Sequence, residues 1–185
     1  MRYIDYVDTE GGPFLIADGG IVQSWRGSDD GSLDYDRACD ILLPAKEGSL
    51  LSVDAGQALI WETDGPGTGD VYQINENQWL ILRAWLNEDT QIAIDALAQS
   101  PLINPEDFGV IEITSEVLAI LWAPESGSCI LDLNVLDNER PMGEMATGSG
   151  GLLIKVKNGI YRCFGDKVAV NDDTARRCHL VRLHV

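Results

Sequence analysis

Alternating apolar and polar positions open the chain and predict β-strands. Residues 3–7 and 14–17 are rich in β-forming side chains, and Gly11-Gly12 between them tolerates the positive φ of a tight turn. The same strand–turn–strand pattern recurs near residues 50–61, 110–122 and 152–164. The pattern therefore predicts four hairpins built on one plan.

The last of these patterns has the strongest turn signal in the chain, Asn158-Gly159. Pairing across this turn predicts one apolar face, which carries Ile154, Val156, Tyr161 and Cys163. The other face is predicted to be a solvated basic patch, which carries Lys155, Lys157 and Arg162.

One strand and one helix are predicted to form the centre of the fold. The strand over residues 78–86 is apolar on both faces, which is typical of a central strand covered on both sides. The cover is expected from the helical spacing over 88–100, with Asn87 as its N-cap and Ser100-Pro101 at its end.

The remaining segments receive shorter predictions. Strands are expected near residues 21–25, 38–43 and 129–135, polar loops over 28–36 and 137–151, and one further helical turn over 104–109. The fold class is thus α+β and predominantly antiparallel β, with about a dozen strands in hairpins and one main helix packed on a sheet. A single domain over 1–185 is expected, and two loosely duplicated β-rich halves, about 1–100 and 101–185, remain an open alternative.

The charge of the chain adds an expectation about its partner. The net charge is −17, and residues 1–150 carry 27 acids against 6 bases, whereas 151–185 carry 3 acids against 7 bases. So negative a field repels nucleic acid and anionic membranes, and it attracts basic proteins. Because the first residues include no apolar run of signal-peptide length, a cytoplasmic protein is expected.

Residues that could carry catalysis or bind a metal do not form a recognisable motif. The four cysteines are widely separated and are expected to be free thiols, mostly buried. The two histidines, His179 and His184, stand at the end of the chain, and a Cys–His dyad has no local signature there. The aspartates of 28–36 do not fit the calcium-binding loop of an EF-hand. If Asp30 were its first residue, the required glycine would fall on Tyr35 and the acidic twelfth residue on Ile41. No catalytic residue, cofactor or metal site is therefore expected.

Tryptophans and carboxylates together leave one alternative open, a domain that binds small ligands or acts on carbohydrate. Glycosidases use two carboxylates, and exposed tryptophans stack on sugars. Four of the five tryptophans lie in or beside apolar strands, where core packing is the better interpretation. Trp25 is the exception, because it stands at the edge of the polar loop beside Arg26.

Three short motifs near the N-terminus carry a family resemblance. They are residues 8–15 with Gly11-Gly12-Pro13 at their centre, Ser24-Trp25-Arg26-Gly27, and Asp34-Tyr35-Asp36-Arg37-Ala38-Cys39. With Ile160-Tyr161-Arg162 and Leu180-Val181-Arg182-Leu183 near the C-terminus, the chain resembles the immunity protein 21 family of bacterial polymorphic-toxin systems.

The resemblance implies a non-catalytic protein that binds a cognate toxin and blocks it. A strongly acidic inhibitor agrees with this function, because many toxin domains have basic clefts and charge complementarity speeds association. The expected partner-binding residues are the acids of the loop together with Trp25 as a buried or anchoring aromatic: Trp25, Arg26, Asp29, Asp30, Asp34 and Asp36.

Overall fold

The computed structural model describes residues 1–43, 45–54, 56–61, 65–87, 90–129, 145–148 and 150–183. The strands of this part are β1 (Arg2–Thr9), β2 (Phe14–Asp18), β3 (Gly48–Val53), β4 (Gly56–Trp61), β5 (Gly67–Asn75), β6 (Gln78–Trp85), β7 (Glu106–Ile113), β8 (Val117–Trp122), β9 (Met145–Gly148), β10 (Gly151–Lys155), β11 (Gly159–Val170) and β12 (Asp173–Arg182). The helices are α1 (Gly19–Val22), α2 (Asp34–Ile41) and α3 (Gln91–Gln99), with short 3₁₀ segments at Asp29–Gly31 and Gly127–Cys129. None of the described helices is long and apolar enough to cross a membrane.

The strands form two antiparallel six-stranded sheets. Sheet A has the order β1-β5-β6-β12-β11-β7, and sheet B has the order β3-β4-β2-β8-β10-β9. In each sheet, three neighbouring strands come from β1–β6 and the other three come from β7–β12. The order of the second three is the mirror image of the first, if β7–β12 are matched one by one with β1–β6. This is the order that a duplicated six-strand unit would give; the duplication itself stays a prediction.

The sheets pack face to face, and each has a helical cover on its other face. Aromatic and aliphatic side chains from both sheets fill the space between them, including Phe14, Trp61, Trp79 and Tyr161. The outer face of sheet A packs on α3 through Leu97. The outer face of sheet B packs on α1, α2 and the connection between them. The predominantly antiparallel β architecture and a main helix packed on a sheet are therefore confirmed.

Three of the four predicted hairpins are wrong, because the chain crosses between sheets at these turns. Strand β1 lies in sheet A and β2 in sheet B, and the pairs β7–β8 and β10–β11 cross in the same way. Only β3 and β4 pair with each other, with Val53 opposite Gly56. A hairpin and a crossover give the same alternation, since in both cases the apolar side chains reach one shared core.

The predicted basic patch is also wrong. Lys155 is buried in sheet B, where its Nζ lies 2.6 Å from Glu116 Oε2. Arg162 lies in sheet A and pairs with Asp107 at 2.7 Å. The crossover at Asn158-Gly159 separates these cations, and each has its own carboxylate.

Several predicted elements have a different secondary structure or different ends. Residues 21–25 and 38–43 were expected to form strands, but α1 and α2 occupy these regions, and β7 replaces the helical turn expected over 104–109. The helix expected over 88–100 begins later, because Thr90 and not Asn87 is its N-cap, its Oγ1 accepting from Ala93 N at 3.2 Å. The predicted strand over 129–135 lies almost entirely outside the described residues. So does most of the loop over 137–151, whose described part includes β9.

A buried arginine fastens α3 to sheet A. The guanidinium of Arg177 forms two hydrogen bonds with the carboxylate of Asp166, at 2.8 and 2.6 Å. It also donates to the carbonyls of Leu97, Ser100 and Pro101 at the end of α3. The last carbonyls of a helix have no backbone N–H partner within it. Arg177 supplies donors to them, and the Ser100 hydroxyl also donates to Leu97 O at 2.9 Å.

Replacing Arg177 by methionine is expected to destabilise the fold by about 3–5 kcal/mol, because Asp166 would remain buried without its partner. Urea unfolding of the variant measures this loss. The matched control is Arg162→Met, whose ion pair with Asp107 is half exposed to solvent, so its loss should destabilise the fold much less. Equal losses in the two variants would contradict the role given to Arg177.

Candidate functional site

Trp25 is the anchor of the segment that connects α1 to α2. Its side chain is fully buried, and its Nε1 donates to the carbonyl of Ala123 at 2.8 Å. In return, the Trp25 carbonyl accepts from Gly127 N at 2.8 Å. Of the two roles left open for Trp25, a buried or an anchoring aromatic, the structure shows the buried one.

Gly27 brings the chain against the same segment after β8. Its φ of +53° is left-handed, and a Cβ here would overlap Pro124 O. Next to it, Ser28 N donates to Pro124 O at 2.9 Å. The Gly27 carbonyl then accepts from Tyr35 N at 3.3 Å, which fixes the start of α2.

The Gly-Gly turn joins this corner from the other side. Trp122 donates through its Nε1 to Gly11 O at 2.7 Å. A Cβ at Gly12 would meet the Tyr35 hydroxyl at 2.5 Å, so only glycine leaves room for this ring of α2. The three motifs behind the family resemblance thus meet in one corner of the molecule, where they position α2.

One face of α2 is directed to solvent. Its buried face carries Ala38 and Leu42, which pack on sheet B. The opposite face carries four exposed residues, here named the α2 stripe: Leu33, Asp36, Asp40 and Leu43. Their spacing of three, four and three positions places them on one side of a helix. Leu33 and Leu43 are each 67% exposed, so an apolar side chain lies on either side of the two carboxylates.

The predicted acids lie around this stripe, but they are not equally available. Asp34 is occupied, because its Oδ2 accepts from Arg26 N at 3.1 Å and its Oδ1 from Arg37 at 3.0 Å. Asp30 pairs with the exposed Arg26 side chain at 3.1 Å. Asp29 and Asp36 are exposed, and their carboxylates have no hydrogen-bond or ion-pair partner among the described residues.

Sequence reasoning missed Leu33, Asp40 and Leu43. The sequence pattern predicts a strand over 38–43, and in a strand Asp40 and Leu43 lie on opposite faces. The signal that could have found them is the helical spacing from 33 to 43, together with the acids at 34 and 36, which favour a helix N-terminus through the helix dipole.

Each of the seven cations of residues 151–185 has a hydrogen-bond or ion-pair partner within the fold. Six form ion pairs, namely Lys155, Lys157, Arg162, Lys167, Arg176 and Arg177. The seventh, Arg182, donates to Asn158 O at 2.8 Å. The available charge on the described surface is therefore mainly negative.

The tryptophans and cavities do not combine into a sugar-binding arrangement in the described part of the chain. Trp85 is the most exposed tryptophan, at 39%, and it borders a cavity of 470 Å³ whose lining has Lys167 and Arg176 but no carboxylate. A larger cavity of 870 Å³ has carboxylates, including Asp54, but no tryptophan. The expectation that Trp25 differs from the other tryptophans by lying outside the core is wrong, because Trp25 is buried and Trp85 is exposed.

The thiols and the described histidine do not form a dyad. Cys163 and Cys178 face the space between the sheets, and burial raises the pKa of the Cys163 thiol to about 12. His179 follows Cys178 in β12 and therefore faces the other side of sheet A, where it stacks on Phe164 at 5.1 Å. Cys39, Cys163 and Cys178 are free thiols; the side chain of Cys129 and all of His184 lie outside the described residues. Among the described residues, no three His, Cys, Asp or Glu side chains come together to hold a metal ion.

Comparison with protein-family models, with curated proteins and with solved structures finds no match for this chain.

His179 is expected to make the fold sensitive to acid. Burial, with a smaller contribution from Arg177, lowers its pKa to about 4 from the ordinary value of 6.5. Between these values the unfolded chain binds a proton that the folded chain does not. Stability is therefore complete above pH 6.5 and is lost as the pH falls toward 4, by about 2 kcal/mol from pH 7 to pH 5.

Urea unfolding of the native protein and of His179→Leu at both pH values isolates this contribution, because all other groups titrate in both proteins. The native protein should lose about 2 kcal/mol more than the variant. Parallel losses would show that His179 is not the group responsible.

Proposed function

We propose that the protein is a non-catalytic immunity protein that binds and neutralises a cognate bacterial toxin domain through an acidic surface. The observation that carries the proposal is the α2 stripe, in which Asp36 and Asp40 lie between the exposed Leu33 and Leu43. Protein interfaces combine apolar contacts that lose water with charges that select the partner, and this face offers both.

The position of α2 supports a protein partner. The helix stands on the outside of sheet B, and the side chains of its stripe are exposed to solvent, as those of a protein interface are before binding. The buried Trp25 and the Gly27 backbone hold the helix in place from beneath. A surface fixed before binding loses little conformational freedom in the complex.

The charge of the chain supports a basic partner. The net charge is −17, and the cations of residues 151–185 are engaged within the fold. A toxin domain with a cleft shaped for nucleic acid is basic, and its association with this protein would be accelerated by electrostatic steering. The proposal includes a cytoplasmic site of action and no enzymatic activity.

Binding to the product of the neighbouring upstream gene, and rescue of cells from that product, test the proposal. The double variant Asp36→Lys/Asp40→Lys should lower the affinity at least about 100-fold and abolish rescue, because like charges would then face the partner. Its control is Asp8→Lys/Asp172→Lys, which changes the net charge equally at two exposed positions outside the stripe. The control should stay within about threefold of the native affinity at physiological salt, where distant charges are screened.

Two outcomes would remove parts of this proposal. If the upstream product neither binds nor is neutralised, the immunity function falls. If both double variants weaken binding equally, the charge acts only at long range and the α2 stripe is not the interface.

The leucines of the stripe are expected to contribute affinity that salt does not weaken. Leu33→Ala/Leu43→Ala should lower the affinity about 10- to 100-fold at both 0.05 and 0.5 M salt, because burial of apolar surface is not screened. Titration calorimetry at the two salt concentrations measures this. The control Ile92→Ala/Leu102→Ala truncates two exposed side chains in and just after α3 and should leave binding unchanged. An effect of the control equal to that of the stripe would contradict the assignment.

A further inference from the structure

One edge of sheet A has no further strand among the described residues and lies beside a cavity of 870 Å³. Strand β7 is the last strand of this sheet and pairs only with β11 among the described strands. In an antiparallel pair, every second residue of an edge strand directs its N–H and C=O groups away from its neighbour. β7 therefore presents backbone donors and acceptors along its outer side, and these groups can pair with another chain.

The other sheet provides a contrast. Its edge strand β3 is covered by α2, which packs on Leu51 and Val53. The side chain of Arg37 also donates to the Ser52 carbonyl at 2.9 Å, so one outward backbone group of β3 already has a partner. None of the described helices packs on β7 in this way, and one of its backbone groups, Gly109 N, donates to Asp107 Oδ1 at 3.0 Å.

The cavity beside β7, here named the β7 groove, has a volume of 870 Å³. One wall is formed by residues 110–112 and Thr114, and the other by residues of α1 together with Asp54, Gly56 and Gln57. Apolar side chains lie within it, including Ile21, Ile160 and the 43% exposed Val110. An extended segment of about five residues would match the length of this wall, at about 3.3 Å per residue.

The charge of the β7 groove is entirely negative. Its lining includes Asp18, Asp54 and Glu112 and no lysine or arginine. Asp18 is occupied, because its Oδ2 accepts from Thr114 N and Ser115 N at 2.7 and 2.8 Å. Asp54 and Glu112 are exposed, and their carboxylates have no hydrogen-bond or ion-pair partner among the described residues.

We infer that the β7 groove binds an extended basic segment of the protein partner, which adds to sheet A as a further strand. The inference rests on the proposed function for the identity of that partner. It adds a second site of contact with the partner, next to the segment that leads to α2. Main-chain hydrogen bonds with β7 would supply affinity, and lysine or arginine side chains on the segment would pair with Asp54 and Glu112. Such a strand would also place apolar side chains against Val110 and Ile160.

A second copy of this chain fits the edge poorly. β7 itself carries Glu106, Asp107 and Glu112, and pairing two such edges would bring like charges together. A basic segment has the opposite charge at these positions. Charge complementarity therefore favours a different, basic chain over self-association.

The test uses a seven-residue peptide in which valine and lysine alternate, with both ends blocked. Its control has the same sequence but carries N-methyl groups on the backbone nitrogens of alternate residues, along the edge that would pair with β7. The control peptide keeps the charge and lacks the backbone N–H donors on that edge. Fluorescence anisotropy should show at least tenfold weaker binding of the control peptide. Amide exchange measured by NMR should show that the unmodified peptide protects residues of β7.

Variants of the protein complete the test. Asp54→Asn/Glu112→Gln should weaken peptide binding at least tenfold, and Asp8→Asn/Asp172→Asn, which removes the same charge elsewhere, should not. No binding, equal binding of both peptides, or protection away from β7 would overturn the inference. So would sedimentation showing a dimer that Glu112→Lys dissociates, because a second copy would then occupy the edge.

The inference about the β7 groove and the proposed function are tested independently of each other. If the toxin partner is neutralised through the α2 stripe but the peptide does not bind, the inference about the β7 groove falls and the proposed function stands. If the peptide binds along β7 but no toxin partner exists, the proposed function falls and the groove stands.

Discussion

The indole of Trp25 connects the outer layer of the molecule to its core. Both polar groups that Trp25 offers to this contact, Nε1 and the backbone carbonyl, bond to the segment after β8. Because the ring is fully buried, any movement of this segment would expose apolar surface and break hydrogen bonds together. The exposed face of α2 depends on this attachment, and so does the function proposed for it.

The two outer layers are fixed by different physical means. On sheet A, a charged side chain, Arg177, satisfies the end of α3 and is itself neutralised by Asp166. On sheet B, an aromatic ring and close backbone contacts at Gly12 and Gly27 hold α2. The side chain of Arg37 adds one hydrogen bond to the second attachment, from α2 to the Ser52 carbonyl of β3.

The sequence was informative wherever burial decides the pattern. The strand over 78–86 is central and covered on both faces, as its apolar residues predicted, and the helix after it packs on the same sheet. The crossovers at Gly11-Gly12 and Asn158-Gly159 could not be told from hairpins. Alternation records which face of a strand is buried, but not whether its neighbour in the chain lies beside it or across the core.

The candidate site was predictable only in part, for a similar reason. Asp29 and Asp36 are as exposed as a polar loop implies, whereas Trp25 looked accessible because its neighbours in the sequence are polar. Its burial results from contacts with residues about 100 positions later, and no local pattern contains them. Leu33 and Leu43 became part of the site only once α2 was seen to be a helix.

Hydrogen exchange of the protein with and without its basic partner tests the central claim most directly, because it locates the interface without changing any residue. The account predicts slower exchange over residues 33–43 in the complex, and over β7 if the groove is also occupied. A stable complex whose protection is confined to α3 and the outer face of sheet A would contradict it.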